Sequence, residues 1–353
     1  MNYNEELKEL LGTVVQDGGS DLHLSEGRRP TIRISGQLIP LMKKENLTHA
    51  DIEGLLKIML VPKAMATFLD KKEIDFAYDF GNQGRFRGNA FVQKGFFSIV
   101  LRLIPKNIKS IAELNLPTIL ENFARKEQGF FLIVGPVGMG KTTTLAAMIE
   151  LVNQERAAHI ITIEDPIEYV YEQKKAIIDQ REVGIDTDTF ASGLQSVFRQ
   201  DVNVLLIGEM RGPDTMAAAV TAAETGHLVF STLHTNNAAQ TIDRIIDTFP
   251  SEQQDQIRIQ LAASLIGIFS QRLIPRIAGG MVPAYELLIA NNAVSNLIRE
   301  KRTHEINTVI ETSLQEGMID LNRSLADLVR KGEISIENAY QHSVNSKILE
   351  KYL

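Results

Sequence analysis

The sequence predicts an α/β protein: a mostly parallel sheet covered by helices, preceded by a smaller α+β domain and followed by a helical region. Three observations carry this. Four short apolar runs, 129–134, 159–163, 202–207 and 227–231, are continuous, as in strands buried on both faces, and helical stretches separate them. Before them, Ile74, Phe76, Tyr78 and Phe80 alternate with polar or small residues, the period of a half-buried strand. From about Asn291 onward no such run occurs and the chain reads as helices.

In order, a helix is expected from Glu5 to Gln16, stopped by Asp17-Gly18-Gly19. Thr31–Ile34 and Gln37–Pro40 flank Ser35-Gly36 as a hairpin. Thr48 caps a helical stretch reaching Asp70, and turns at 81–84 and 94–95 separate strands Arg85 to Gln93 and Phe96 to Ile104. Pro105 to Pro117 reads as a linker. The expected division is therefore 1–104, a linker at 105–117, an α/β domain at 118–290 and a helical region at 291–353.

Composition narrows the function. At 353 residues, with 44% hydrophobic and 23% charged residues, the chain resembles an ordinary globular protein of two or three domains. No apolar run approaches a bilayer span, and the first residues, MNYNEELKELL, are unlike a signal peptide, so a cytoplasmic location is expected. Net charge is −7, which argues against a DNA translocase, whose phosphate contacts need a basic face; no nucleic-acid partner is expected. With no cysteine there are no disulfides, Cys-ligated zinc or thiol catalysis.

Gly135-Pro136-Val137-Gly138-Met139-Gly140-Lys141-Thr142 fits G-x-x-x-x-G-K-[ST], between a buried strand and a helix, with Thr143 following. Glycines let backbone N–H groups turn towards phosphate oxygens, and the helix N-terminus adds favourable partial charge. Lys141 suits the β- and γ-phosphates of ATP, and the Thr142 hydroxyl suits Mg²⁺.

Hydrolysis needs acids nearby. The strand at 159–163 runs into Glu164-Asp165-Pro166-Ile167-Glu168, and the strand at 202–207 into Gly208-Glu209-Met210-Arg211. Ligands of open α/β sheets gather at these carboxyl ends. Glu209 is expected to polarise the attacking water, with Glu164, Asp165 or Glu168 supporting Mg²⁺ or the water. His234, at the carboxyl end of the fourth strand, is better placed than His227 to sense a γ-phosphate. Arg85, Arg87 and Asn89 share one face of a strand, with Arg102 in the next; a solvated face and a set of arginine fingers are both open readings.

Taken together, these motifs resemble the secretion-ATPase superfamily, and within it the type IV pilus retraction ATPases, the PilT (twitching motility) family. Ser20-Asp21-Leu22-His23 is similar to the N-terminal signature, GPVGMGKT to the Walker A loop, and Thr162–Glu168 to the aspartate box. Leu206–Arg211 is similar to an atypical Walker B, and Thr221–His234 to the histidine box. Ala293–Glu300 resembles the retraction family's C-terminal motif, and the four-cysteine zinc insert of extension ATPases has no counterpart here.

The resemblance implies a homohexamer of RecA-like P-loop NTPase domains, each with a PAS-like N-terminal domain and with ATP between the two. It implies that Arg85, Arg87 and Arg102 approach the nucleotide. Hydrolysis would act on an inner-membrane pilus platform protein from the cytoplasmic face of the membrane. Met139 stands where the family has a small residue, Ser295 replaces an arginine, and Gln195 another, although Arg199 keeps the next one. These departures leave two alternatives: an accessory paralogue, or a slow nucleotide-gated switch resting on Met139.

Overall fold

The computed structural model describes residues 2–34, 36–104 and 107–353; Ser35 of the expected hairpin turn and Pro105 and Lys106 of the expected linker lie outside them. Two compact units result, Met1–Asn107 with Pro166–Val170, and Ile108–Asp165 with Tyr171–Leu353.

The first unit contains α1 (Tyr3–Gln16), β1 (Asp21–Ser25), β2 (Thr31–Ile34), β3 (Gln37–Pro40), α2 (His49–Met59), α3 (Pro62–Lys71), β4 (Glu73–Asp79), β5 (Arg85–Gln93) and β6 (Phe96–Ile104). Its strands lie in the order β3-β2-β1-β6-β5-β4, every neighbour antiparallel. Helices cover one face, where Leu7, Leu10 and Leu11 of α1 and Ile52, Leu55 and Leu56 of α2 join Leu22, Phe86 and Leu101 of the sheet. The helical stretch expected from Thr48 to Asp70 is two helices. Pro62 fixes its own φ, has no N–H and biases its neighbour towards extended backbone, so Leu60 and Val61 are extended and Pro62 opens α3. Thr48 and Asp51 cap α2 reciprocally, a capping box.

The opposite face of this sheet carries charge. Register places Arg33 beside Asp21, Asp21 beside Arg102, and Arg102 beside Arg87. Burial alone would raise the Asp21 carboxyl, but the Ser20 hydroxyl and Arg102 overcome it and hold the group below the usual range. Arg102 Nε donates to Asp21 Oδ1 at 2.8 Å, and Ser20 Oγ to Asp21 Oδ2 at 2.7 Å. Arg102 is largely exposed and can turn to water. Asp21→Asn should therefore cost only about 1–2 kcal/mol in urea unfolding, less than loss of a sealed ion pair. Because the folded carboxyl is depressed, its contribution is present above the unfolded pKa and is lost as pH falls through the folded value. A variant as stable as the parent at pH 7 would refute the assignment.

The second unit runs α4 (Ile119–Ala124), β7 (Gly129–Val134), α5 (Lys141–Glu155), β8 (His159–Glu164), β9 (Ile177–Glu182), α6 (Phe190–Val197), β10 (Val204–Ile207), α7 (Pro213–Glu224), β11 (Leu228–Leu233), α8 (Ala238–Asp247), α9 (Ser251–Ser264), β12 (Leu265–Pro275) and β13 (Met281–Ile289). Strand order is β13-β12-β7-β11-β10-β8-β9, parallel throughout except for β13, which is antiparallel to β12. The predicted runs are β7, β8, β10 and β11. Phe130, Leu132, Ile161, Leu205 and Val229 from these strands share a core with Val220, Ile242 and Leu261 from the helices.

Five helices follow: α10 (Asn292–Arg299), α11 (Ile306–Thr312), α12 (Leu321–Arg330), α13 (Ile336–His342) and α14 (Ser346–Tyr352). Val294 and Ile298 of α10 and Ile306 and Ile310 of α11 continue the sheet's core. Leu321, Leu325 and Leu349 pack with Ile274, Val282 and Ala284 of β12 and β13. No described helix is long and apolar enough to cross a membrane.

Candidate active site

Strand register assembles the site at the carboxyl ends of β7, β11, β10 and β8. Val134 pairs with Leu233, so Gly135 and His234 leave neighbouring strands side by side. Ile207 pairs with Ser231 on one side and Ile163 on the other, which sets Gly208 between Thr232 and Glu164. The Thr232 hydroxyl donates to Gly208 O at 2.7 Å and fixes that end of β10.

Helix α5 begins directly after the glycine loop. Its N-cap is Gly140, at φ 76°, a residue with no side chain of its own to cap the helix. Those donors and the positive end of the helix are suited to an anion. Lys141 is buried at 7% exposure, and its ammonium donates to Gly135 O at 2.7 Å, Pro136 O at 2.9 Å and His234 Nδ1 at 3.2 Å. An ammonium only donates, so His234 Nδ1 is the acceptor and a neutral ring carries its proton on Nε2. Desolvation first, then the Lys141 charge, push the His234 pKa down and favour that neutral ring. Nε2 lies 3.8 Å from Glu209 Oε2, and the other side of Glu209 is ion-paired with Arg211. Lys141, His234, Glu209 and Arg211 thus form one chain of contacts across three strand ends.

The three acids after β8 go to different places. Glu164 is buried, accepts from Thr162 Oγ1 at 2.7 Å, and lies beside Gly208. A Cβ on Gly208 would meet Glu164 Cα and Ile163 O, both at 3.4 Å. Asp165 is exposed. Glu168 lies in the segment that clusters with the first unit, where Arg87 Nη1 donates to its Oε1 at 3.1 Å. Arg85, Arg87 and Asn89 alternate with buried Phe86, Gly88 and Ala90, so the first three share the face away from the core. Asn89 is bonded to Asp75.

Thr142 and Thr143 are half-buried in the first turn of α5, and Val137 and Gly138 are exposed at the tip of the loop. Met139 turns its sulfur onto β12, where it accepts from the Leu273 N–H at 3.3 Å. Its bulk is thus held against that strand. His227 lies at the opposite end of β11, bonded to Ala222 O at 2.9 Å and edge-on to Phe198, a structural setting.

Sequence reasoning missed Gln271. It is 2% exposed on β12, against the loop. The signal is a polar run, Ser270-Gln271-Arg272, inside an otherwise apolar stretch.

For Mg²⁺, no group of three or more His, Asp or Glu suited to a metal occurs among the described residues. The Thr142 hydroxyl and the Glu164 or Asp165 carboxylate would supply hard oxygen donors of the kind Mg²⁺ takes.

The profile of the type II/IV secretion system protein family matches residues 3–342. Over 347 residues the chain is 42% identical to the type IV pilus retraction ATPase PilT of Pseudomonas aeruginosa, covering 98% of this chain and 100% of that one. It is 39% identical over 339 residues to the type IV pilus ATPase PilU of the same organism, covering 96% and 88%. A crystal structure of the pilus retraction motor PilT with bound ADP matches at TM-score 0.91 and 42% identity, covering 98% of this chain and 99% of that one. The chain belongs to the type II/IV secretion system protein family, among its PilT-type ATPases.

Proposed function

We propose that this chain is the subunit of a hexameric motor that retracts type IV pili, acting from the cytoplasm on a platform protein of the inner membrane. The observation that carries the reading is the contact chain Lys141–His234–Glu209–Arg211 at the head of the phosphate loop, in a chain related along its length to retraction ATPases. In this reading Gly135 to Thr143 bind ATP, with Lys141 exchanging loop carbonyls for phosphate oxygens. Mg²⁺, when bound, neutralises charge on the β- and γ-phosphates, held by Thr142 with Glu164 or Asp165. Glu209 takes the proton of the attacking water, and neutral His234 reports on the γ-phosphate through Lys141. Arg85, Arg87 and Arg102, on the PAS-like first unit, supply positive charge to a nucleotide in the ring. Glu168 restrains Arg87 until then.

Deleting the gene in its host should leave pili that extend and do not retract, with restoration by the wild-type copy, as seen by live imaging of labelled pili. Normal retraction in the deletion strain would overturn the proposal. A second reading, an accessory motor, rests on Ser295 and Gln195, which stand where the family has arginines; slowed retraction instead of abolished retraction would select it. A mass measurement of the assembly with nucleotide tests the six-fold stoichiometry.

A further inference from the structure

Gln271 lies in the middle of β12, buried at 2% exposure, and both ends of its amide are used. Its Nε2 donates to Met139 O at 2.7 Å, and its Oε1 accepts from Thr144 Oγ1 at 2.7 Å. One partner is the last carbonyl before Gly140, and the other is in the first turn of α5. The backbone of Gln271 closes against the start of the loop: a Cβ on Gly135 would stand 2.4 Å from Gln271 O. A Cβ on Gly140 would stand 3.0 Å from Gln271 Nε2. One residue of a neighbouring strand therefore touches the loop at both ends.

The orientation matters more than the contact. Met139 C=O and Gly140 N–H belong to one planar trans peptide and point in opposite directions. Holding the carbonyl onto β12 turns the Gly140 N–H away from β12, towards the inside of the loop, where a phosphate oxygen would be received. Thr144 aims the clasp: its hydroxyl proton on Oε1 fixes which end of the amide is the donor, so Nε2 faces Met139 O.

We propose that Gln271 is a positioning residue for nucleotide phosphate, acting by presenting the Gly140 N–H. The inference rests on the nucleotide-binding reading of the loop. Met139 follows from the same arrangement, because its sulfur bonds the next N–H along β12, that of Leu273, and adds a second fastening at the same peptide. The larger residue at this position reinforces the loop's attachment to the strand.

The test is a double-variant cycle in the full-length protein, with fluorescent ADP as the probe, read well below each variant's melting temperature. Gln271→Ala should weaken ADP binding about tenfold, the factor attached to loss of one well-placed hydrogen bond. Thr144→Val should weaken it less, since it only releases the amide to flip. The double variant should bind no worse than Gln271→Ala, because Thr144 acts through Gln271. The KM for ATP should rise with the ADP Kd, by a larger factor than kcat falls, as expected for lost ground-state phosphate binding. An ADP Kd within twofold of wild type in Gln271→Ala, or losses that multiply in the double variant, would overturn the proposal. A wild-type protein that fails to bind ADP would instead overturn the nucleotide reading itself.

Discussion

Glu209→Gln is expected to lower ATP turnover by about 10²–10⁴-fold, the range for removing a positioned general base, while ADP affinity changes by less than about threefold. The amide keeps the size of the side chain and an acceptor for Arg211, but it cannot take a proton from water. The environment supports a base here. Glu209 lies between Arg211, which it keeps firmly protonated, and the Nε2 face of a histidine whose pKa is pushed down by desolvation and Lys141. Phosphate release measured on purified protein decides the point. Turnover within tenfold of wild type would remove Glu209 from the role and leave Glu164 as the next acid to change.

Much of this site was legible because strand ends are punctuated in the sequence. Four continuous apolar runs marked β7, β8, β10 and β11, and the residues at or just past their carboxyl ends, Gly135, Glu164, Gly208 and His234, are the ones register brings together. Parallel neighbours of equal phase put consecutive carboxyl ends at one rim, so a one-dimensional list became a cluster. The three remaining strands of that sheet were hidden for separate reasons. β9 is an edge strand whose Ile178, Gln180 and Glu182 mix polarity. β12 carries Ser-Gln-Arg in its middle, where Ser270 bonds Asn236 O and Gln271 bonds Met139 O in the loops at the head of the sheet. β13 contains Pro283, tolerable only because the strand is at the edge.

The arginines were placed on one face correctly by their period of two, yet sequence could not show their partners. Arg102 is bonded to Asp21, 81 residues away in the chain, and Arg87 to Glu168, also 81 residues away. Two arginines directly across adjacent strands repel unless anions lie near them. Here Asp21 and Glu168 meet that need. Sequence also made Met139 suspect as bulk over the phosphates, but its sulfur is engaged by β12.

Glu286→Gln should stabilise the protein by roughly 2–3 kcal/mol at pH 8 and by nothing measurable near pH 4. Glu286 lies on β13 across from Ser270, and its Oε1 accepts the Ala238 N–H at 2.8 Å, the first N–H of α8. That bond and the helix N-terminus favour the anion by about 1 kcal/mol each. Burial disfavours it by more, and Asp320 adds to the cost while Arg272 offsets part, so the carboxyl is pushed up to about 7. Below about pH 4.5 both folded and unfolded chains hold the proton, and the penalty vanishes. As pH rises from there to about 7, the unfolded chain releases its proton while the folded one keeps it, so stability falls; beyond that the loss is constant. Glutamine keeps the acceptor for Ala238 and removes the titration, at the cost of an added amide donor that needs a partner. The difference in unfolding free energy between variant and wild type should therefore grow from pH 4.5 to 7 and then level off. The paired strand β12 holds the neighbouring loops: Ser270 donates to Asn236 O, two residues beyond His234, and Gln271 holds Met139. A flat difference across that window would show that Glu286 is ionised in the folded protein, and that its bond to α8 outweighs burial.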